Sequence, residues 1–520
     1  MFSSKSSKSI FTSSFSEERW VREITAIMEN NTEAKEVLVS VFEVPEALRC
    51  VNTEAYTPQL LAFGPFHHFK PKLYQMQRFK VAAATRVQRD WLAVDFQQLV
   101  AHIRQQQLKI RTCYQIHLDI QKDTLAWLMA IDGLALLKLL HSSLSCYKNP
   151  LKSSWKNPFD DFYGRSPDLD MILRDILMLE NQIPMILLTA IVEKCHEPYN
   201  NLQCFVDFIE AISPLQLARK VQASDVVNYK HLLDLFYQLI CPKEDGTDSS
   251  EQLEIKIESV ENENEEDSSS KAPDCTVFSK FLASLSKLHY RCAALPEKLL
   301  KLLLTALELL GISAHDFFDK DGAWIPTASQ LAKTGVTFSI CEGIRDIKFN
   351  EQTLVFQLPV ITLNTKRDQG KILSSKRTTE VILRNLIAFE SLSKDRSQSL
   401  PFTRYTQLMN GLIDNAKDAI VLINAHIIEG DLARVEIANL FNGLSETIEP
   451  KDRDINIDDA IKNINHYYDH TLRVKTNKLL KKYIYSSWKF LTFLTSFLLL
   501  AMIGLETLCG FYECKTVRFK

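Results

Sequence analysis

The 520-residue chain lacks the short motifs that announce most enzymes. It has no GxSxG nucleophile elbow, no GxxxxGK[ST] phosphate loop, no HExxH helix and no GxGxxG turn. The usual routes to acyl transfer, nucleotide binding and zinc hydrolysis therefore have no sequence support. The 11 cysteines include no CxxC pair and no histidines at zinc-site spacing, which excludes a finger or ribbon. Basic excess is missing as well: a net charge of −3 provides no electrostatic case for nucleic-acid binding. There is no internal repeat and no heptad run, so neither a solenoid nor a coiled coil is expected. The first residues, MFSSKSSKSIFTSSFSEERW, lack the apolar core of at least ~7 residues and the small-residue cleavage site of a secretory signal.

What the chain does have is an apolar run near its end, FLTFLTSFLLLAMIGLETLCG, from Phe490 to Gly510. Fourteen of these 21 residues are apolar, and Glu506 carries the only charge. At ~1.5 Å rise per residue, a helix of this length spans the ~30 Å hydrocarbon core of a bilayer. Tyr483, Tyr485 and Trp488 on one side and Phe511 and Tyr512 on the other resemble aromatic belts at the two headgroup layers. Arg473, Lys475, Lys478, Lys481, Lys482 and Lys489 precede the run, against Lys515, Arg518 and Lys520 after it, which places the N-terminal side in the cytosol. The expectation is a single-pass, tail-anchored protein with a cytosolic body. In that topology the cysteines of the body are reduced and serve as buried small hydrophobes. Cys509 and Cys514 lie away from the acylation machinery, and the sequon Asn30-Asn31-Thr32 goes unused.

The preceding body is 46% hydrophobic and 24% charged over the whole chain, as expected of a folded protein. One segment departs from this. Lys243 to Lys271 holds 11 acidic residues, three lysines and no aromatic, too little apolar surface to order itself. The implied organisation is a disordered N-terminus at 1–15, a helical half at 16–242, an acidic disordered insertion at 243–272 and a second helical half at 273–482. An anchor region at 488–512, with its core at 490–510, and a short tail at 513–520 complete it.

Periodicity predicts helices at Met76 to about Val100, about His102 to Lys122, Thr124 to Leu140, and Asp168 to Lys194 with a break. Ser14 and Glu17 suggest a capping box for an earlier helix, and Val37 to Val44 reads as extended, ending at Pro45. The break at Glu180-Asn181-Gln182-Ile183-Pro184 fits a kink, since Pro184 removes a backbone donor and suits the first turn of a new helix. After the insertion, Phe278 to Leu310 with Gly311 as its stop, Thr378 to Phe389, Tyr405 to Ile428 with Gly430 as its stop, and Ala433 to Leu440 read as helices. Three β-branched and aromatic runs, Val336–Ser339, Ile344–Phe349 and Leu354–Leu358, suggest a small antiparallel meander. The fold class expected is mainly α, a multi-helix body with that meander and one C-terminal transmembrane helix.

Particular residues carry a family resemblance. Val44-Pro45, Asn52, Ala55-Tyr56-Thr57-Pro58 and Gly64-Pro65-Phe66-His67-His68 resemble the N-terminal signature of the plant domain-of-unknown-function 247 family. Asp132-Gly133, Asp175 and Leu179-Glu180-Asn181-Gln182-Ile183-Pro184 resemble its central motif, and Asn385 to Glu390 resembles part of its second half. Three features depart from the pattern: Phe63 stands for a small residue, Phe66 for tyrosine, and the acidic insertion is long. The resemblance implies a largely helical, membrane-associated plant protein without established enzymatic activity. Some grass relatives are linked to self-incompatibility, which implies recognition rather than catalysis. That role is not transferred to this chain.

The candidates for chemistry are few. Adjacent His67 and His68 point in different directions and make no metal site by themselves. Asp175 and Glu180, five apart, sit about 140° around a helix and so do not form a paired acid–base site. A buried polar cluster at the kink, with Glu180, Asn181 and Gln182 taking up freed backbone groups, explains them better. Gly64-Pro65 reads as a rigid turn. No catalytic, cofactor or metal residue is assigned. The signature residues Pro45, Tyr56, Pro58, Gly64, Pro65, His67, His68, Asp132, Asp175, Glu180, Asn181, Gln182, Pro184, Asn385 and Glu390 are expected to serve structure or interaction. The expected partners are a bilayer through Phe490–Gly510 and an unidentified protein, with no nucleic acid and no metal. The competing expectation is an enzyme of unrecognised type with its pocket near Gly64–His68 and Asp175–Gln182.

Overall fold

Several helix boundaries fall where a side chain takes the orphan amides of the first turn. In the computed structural model, residues 39–148, 169–242, 325–364, 375–393, 399–445 and 454–471 are described, with Val21, Thr25, Thr495 and Leu499 as single helical positions. Asp95 and Gln98 form a capping box that starts a helix at Phe96–Gln105. The helix expected from Met76 to Val100 is therefore two, Gln77–Trp91 and Phe96–Gln105. The one expected to reach Lys122 ends early, as Gln107–Thr112. Its continuation turns away because Tyr114 bridges Val41, and the Arg111 guanidinium donates to the carbonyls of Leu118 and Ile120. Similarly, Asn415 and Asp418 box the start of Ala416–Asn424, dividing the expected Tyr405–Ile428 helix into Pro401–Leu412 and Ala416–Asn424. Ile428 belongs instead to a two-residue strand.

The first half also contains Lys122–Lys148, Leu169–Ile176, the 3₁₀ turn Leu179–Asn181, Met185–Val192, Pro198–Ile212 and Leu232–Ile240. The second contains Ala328–Lys333, Lys376–Ser393, Arg434–Ser445 and Ile455–His470. Lys122–Lys148 forms the centre, with Leu125, Met129, Leu134, Leu137 and Leu140 all without exposure. Its Lys122–Ser145 portion is the one described helix long and apolar enough to cross a membrane, and 72% of its apolar window is buried inside the fold. Burial of most of that window accounts for its composition. Gly133 allows the close approach of Met185–Val192, since a Cβ there would stand 2.3 Å from Ile191 Cδ1.

The expected meander is a mixed sheet. β1 (Thr337–Cys341), β2 (Lys348–Asn350) and β3 (Val355–Pro359) lie in the order β1-β3-β2, with β1 parallel and β2 antiparallel to β3. The link from β1 to β2 buries Ile344 and Ile347 around a 3₁₀ turn, so it cannot close as a tight hairpin. It carries the chain past one strand position, which β3 then fills after a turn holding Leu354 at φ 55°. A second pairing joins β4 (Ile361–Thr362) in parallel to β5 (Ile428–Glu429).

Met1–Lys243 and Trp324–Lys475 cluster as one compact unit, so the chain before and after the insertion builds a common core. Glu244–Ala323 with Thr476–Lys520 forms a second unit, which lies outside the described residues apart from Thr495 and Leu499. The Ser14/Glu17 capping box, the acidic insertion, the Phe278–Leu310 helix and the rest of the Phe490–Gly510 run lie outside them too. Of the described cysteines, Cys113, Cys195, Cys204, Cys241 and Cys341 are buried, whereas Cys50 is exposed, a correction to the expectation for that residue.

Candidate functional site

Gln59 to Gly64 leads from the surface into the core with no strand beside it, so its polar groups must be satisfied by side chains. The signature residues do this. Asp175, at the end of Leu169–Ile176, accepts the backbone N–H groups of Gln59 (3.1 Å), Leu60 (2.6 Å) and Leu61 (2.9 Å). Three successive amides aimed at one anion form the concave arrangement that binds free anions elsewhere, here filled by the chain's own carboxylate. Asn181 accepts from Phe63 N at 2.7 Å and donates to the carbonyls of Leu61 and Asp175. Asp132 accepts from Gly64 N at 3.0 Å and pairs with Lys80 Nζ at 2.6 Å, while Lys80 also donates to Ala62 O.

Gly64 is required at its place. Its φ of +69° suits glycine, and a Cβ would stand 2.8 Å from Tyr114 Oη. That tyrosine donates to Gln182 O at 3.1 Å. Pro58 and Pro65 are buried on either side, and Tyr56 is buried with its hydroxyl pKa pushed up to about 12 by desolvation.

The kink is equally well tied. Gln182 donates to Ile176 O and Met178 O, closing the end of the preceding helix, and accepts from Leu233 N. Pro184 then stands immediately before Met185–Val192, where its missing N–H is no loss. Glu180 accepts from Val44 N at 2.8 Å, pairs with Arg49, and lies 3.0 Å from His67 Nε2. Burial works to raise the Glu180 pKa, but His67, the Val44 amide and Arg49 outweigh it and hold the carboxyl below its ordinary value. His67 is 2% exposed and burial lowers its pKa. His68 is half-buried, and burial together with Lys80 lowers it to about 3. Asp175 is pushed by burial up to about 6 against the three amides and Arg174. Pro45 stands before the short helix Glu46–Val51, which presents Arg49.

The second-half residues anchor to the first half. Asn385 accepts from Leu179 N and donates to Ala55 O, both across the insertion. Glu390 caps a neighbouring helix, accepting from Phe402 N at 3.0 Å and Thr403 N at 2.7 Å, and also accepts from the Tyr237 hydroxyl at 2.5 Å. The structure thus brings Tyr56, Pro58, Gly64, Pro65, His67, His68, Asp132, Asp175, Glu180, Asn181, Gln182, Pro184 and Asn385 into one buried knot. Glu390 forms a separate one with Tyr237.

Sequence reasoning missed the partners: Arg49, Lys80, Tyr114, His231 and Tyr237. The signal available was indirect, since a buried acid requires a donor or a cation. His231 is fully buried. Its Nδ1 accepts from Asp234 N at 3.1 Å and its Nε2 faces Ser40 O at 2.9 Å, which fixes the neutral Nε2–H tautomer. Burial lowers its pKa to about 4. Among the described residues no group of three His, Cys, Asp or Glu is arranged to hold a metal ion.

Residues 41–502 match the family described as plant protein of unknown function, DUF247. A putative UPF0481 protein of Arabidopsis thaliana is 28% identical over 96% of each chain. A second UPF0481 protein of the same plant is 24% identical over 42% of this chain and 44% of its own. No solved structure matches. The matched span takes in every signature residue of the two knots, and the chain belongs to the DUF247 family of plant proteins of unknown function.

Proposed function

We propose that the chain is a membrane-tethered recognition or scaffold protein without catalytic activity, its body in the cytosol and Phe490–Gly510 spanning a bilayer. One observation carries the non-catalytic part. The signature carboxylates Asp132, Asp175, Glu180 and Glu390 are each engaged by backbone amides of other segments, so they are committed to holding the fold. The apolar run, its aromatic flanks and the basic bias before it support the anchor and its orientation. Alkaline carbonate should leave the full chain in the membrane pellet and release a chain ending at Lys482. Release of the full chain contradicts a spanning helix. Protease added to sealed vesicles should digest the body, and protection would invert the topology.

A second reading, an enzyme of unrecognised type with its pocket near Gly64–His68 and Asp175–Gln182, is favoured by the approach of His67 Nε2 to Glu180 Oε2. The burial of both side chains weighs against substrate access. If His67→Ala or Glu180→Ala abolished function with the thermal melt unchanged, the enzyme reading would prevail.

A further inference from the structure

A different pair of histidines carries chemistry that the knot does not. His466 and His470 lie four residues apart in Ile455–His470, on one face and one turn from each other. Their rings stack with centroids 4.2 Å apart and a tilt of 31°. His470 Nδ1 lies 2.8 Å from the His466 carbonyl and, facing an acceptor, donates to it, so its lone pair is on Nε2. His466 Nδ1 faces Glu351 Oε1 at 3.6 Å, and the carboxylate favours a proton on that nitrogen too. Both Nε2 atoms are without a hydrogen-bond or ion-pair partner among the described residues. An imidazole whose Nδ1–H is held by a carbonyl or a carboxylate, with Nε2 free, is the arrangement that metal-ligating histidines adopt. The last turn of a helix also favours a cation.

We propose that His466 and His470 form a two-histidine surface site for a divalent transition-metal ion, with Glu351 as a positioning residue behind His466. Two imidazole nitrogens suit Cu²⁺, Ni²⁺ or Zn²⁺ and not Mg²⁺ or Ca²⁺. With only two protein ligands the site is open, and its remaining positions go to water or to a ligand from a docked molecule. Lys462, one turn earlier and exposed, opposes the charge and limits affinity.

The probe is Zn²⁺, titrated in competition with a chromophoric chelator into the full, untagged chain in detergent. The expected result is one saturable equivalent beyond what the double variant His466→Ala/His470→Ala takes up. Each single alanine should lose at least about tenfold in affinity, and Glu351→Gln about tenfold, because its loss frees the His466 ring without removing a ligand. Mg²⁺ in excess should not displace the bound Zn²⁺. His466 and Glu351 are more than half exposed, so metal-free melts of the variants should match that of the parent. Equal Zn²⁺ uptake by parent and double variant would overturn the proposal, as would single alanines that bind like the parent.

Discussion

Asn385 accepts the backbone N–H of Leu179 at 2.9 Å across 206 residues of sequence. The same side chain donates to Ala55 O, 330 residues away. One amide from the second half thus closes the kink and the N-terminal signature together.

Replacing it should be costly. Asn385→Ala leaves a buried amide and a buried carbonyl unpaired, each worth about 1–3 kcal/mol. A loss of roughly 2–4 kcal/mol is expected in urea unfolding, without a change in the slope of the transition. Asn385→Asp keeps the acceptor for Leu179 and should retain part of the stability only at acidic pH, where the carboxyl is neutral.

Because both halves build one core, covalent continuity through the insertion is dispensable once folding is complete. A protease site engineered near Asn262 should permit cleavage with the two fragments still co-eluting in native chromatography. Fragments that separate without denaturant would contradict the shared core.

Gly64→Ala places a methyl group 2.8 Å from Tyr114 Oη at a backbone angle unfavourable to alanine. A loss of about 2 kcal/mol or more is expected. Tyr114→Phe removes the crowding hydroxyl but unpairs Gln182 O, so the double variant should lose less than the sum of the two singles. Additivity in a thermal-melt cycle would count against the clash.

Acid should weaken the fold through His231. Its folded pKa of about 4 lies below the ordinary 6.5, so the folded state binds fewer protons than the unfolded chain in that interval. Its contribution is fully present above about pH 6.5 and falls by roughly 3 kcal/mol as pH drops to about 4. Glu180, also depressed, adds loss in the same direction below the ordinary carboxylate range. Asp175, raised to about 6, works oppositely: its contribution is present at low pH and fades as pH rises through 6. The comparison is therefore between parent and His231→Asn, which keeps a helix-capping acceptor. The variant should show a flatter stability profile between about pH 4 and 6.5.

Much of this architecture was legible in the sequence, and for local reasons. The Leu179–Pro184 run announced a kink because Pro184 and the amide side chains act within a few residues of themselves, as Gln182 does on Ile176 and Met178. The helix breaks at Asp95 and Asn415 were also local, yet hidden, since the apolar period continues through them. The role of Asp175 was not legible at all. Its donors lie 114 to 116 residues earlier, and no local spacing encodes them. The order β1-β3-β2 was hidden for a similar reason: three short β-rich runs state that strands exist and leave their pairing to the burial of Ile344 and Ile347.

The central claim is that the signature carboxylates hold the fold, and Asp175→Ala tests it most directly. Removing the buried acceptor of three amides should lower the urea unfolding free energy of the full chain in mild detergent by roughly 3 kcal/mol. A catalytic carboxylate, kept in place at the expense of stability, would give the opposite: an Asp175→Ala chain as stable as the parent or more so contradicts the account.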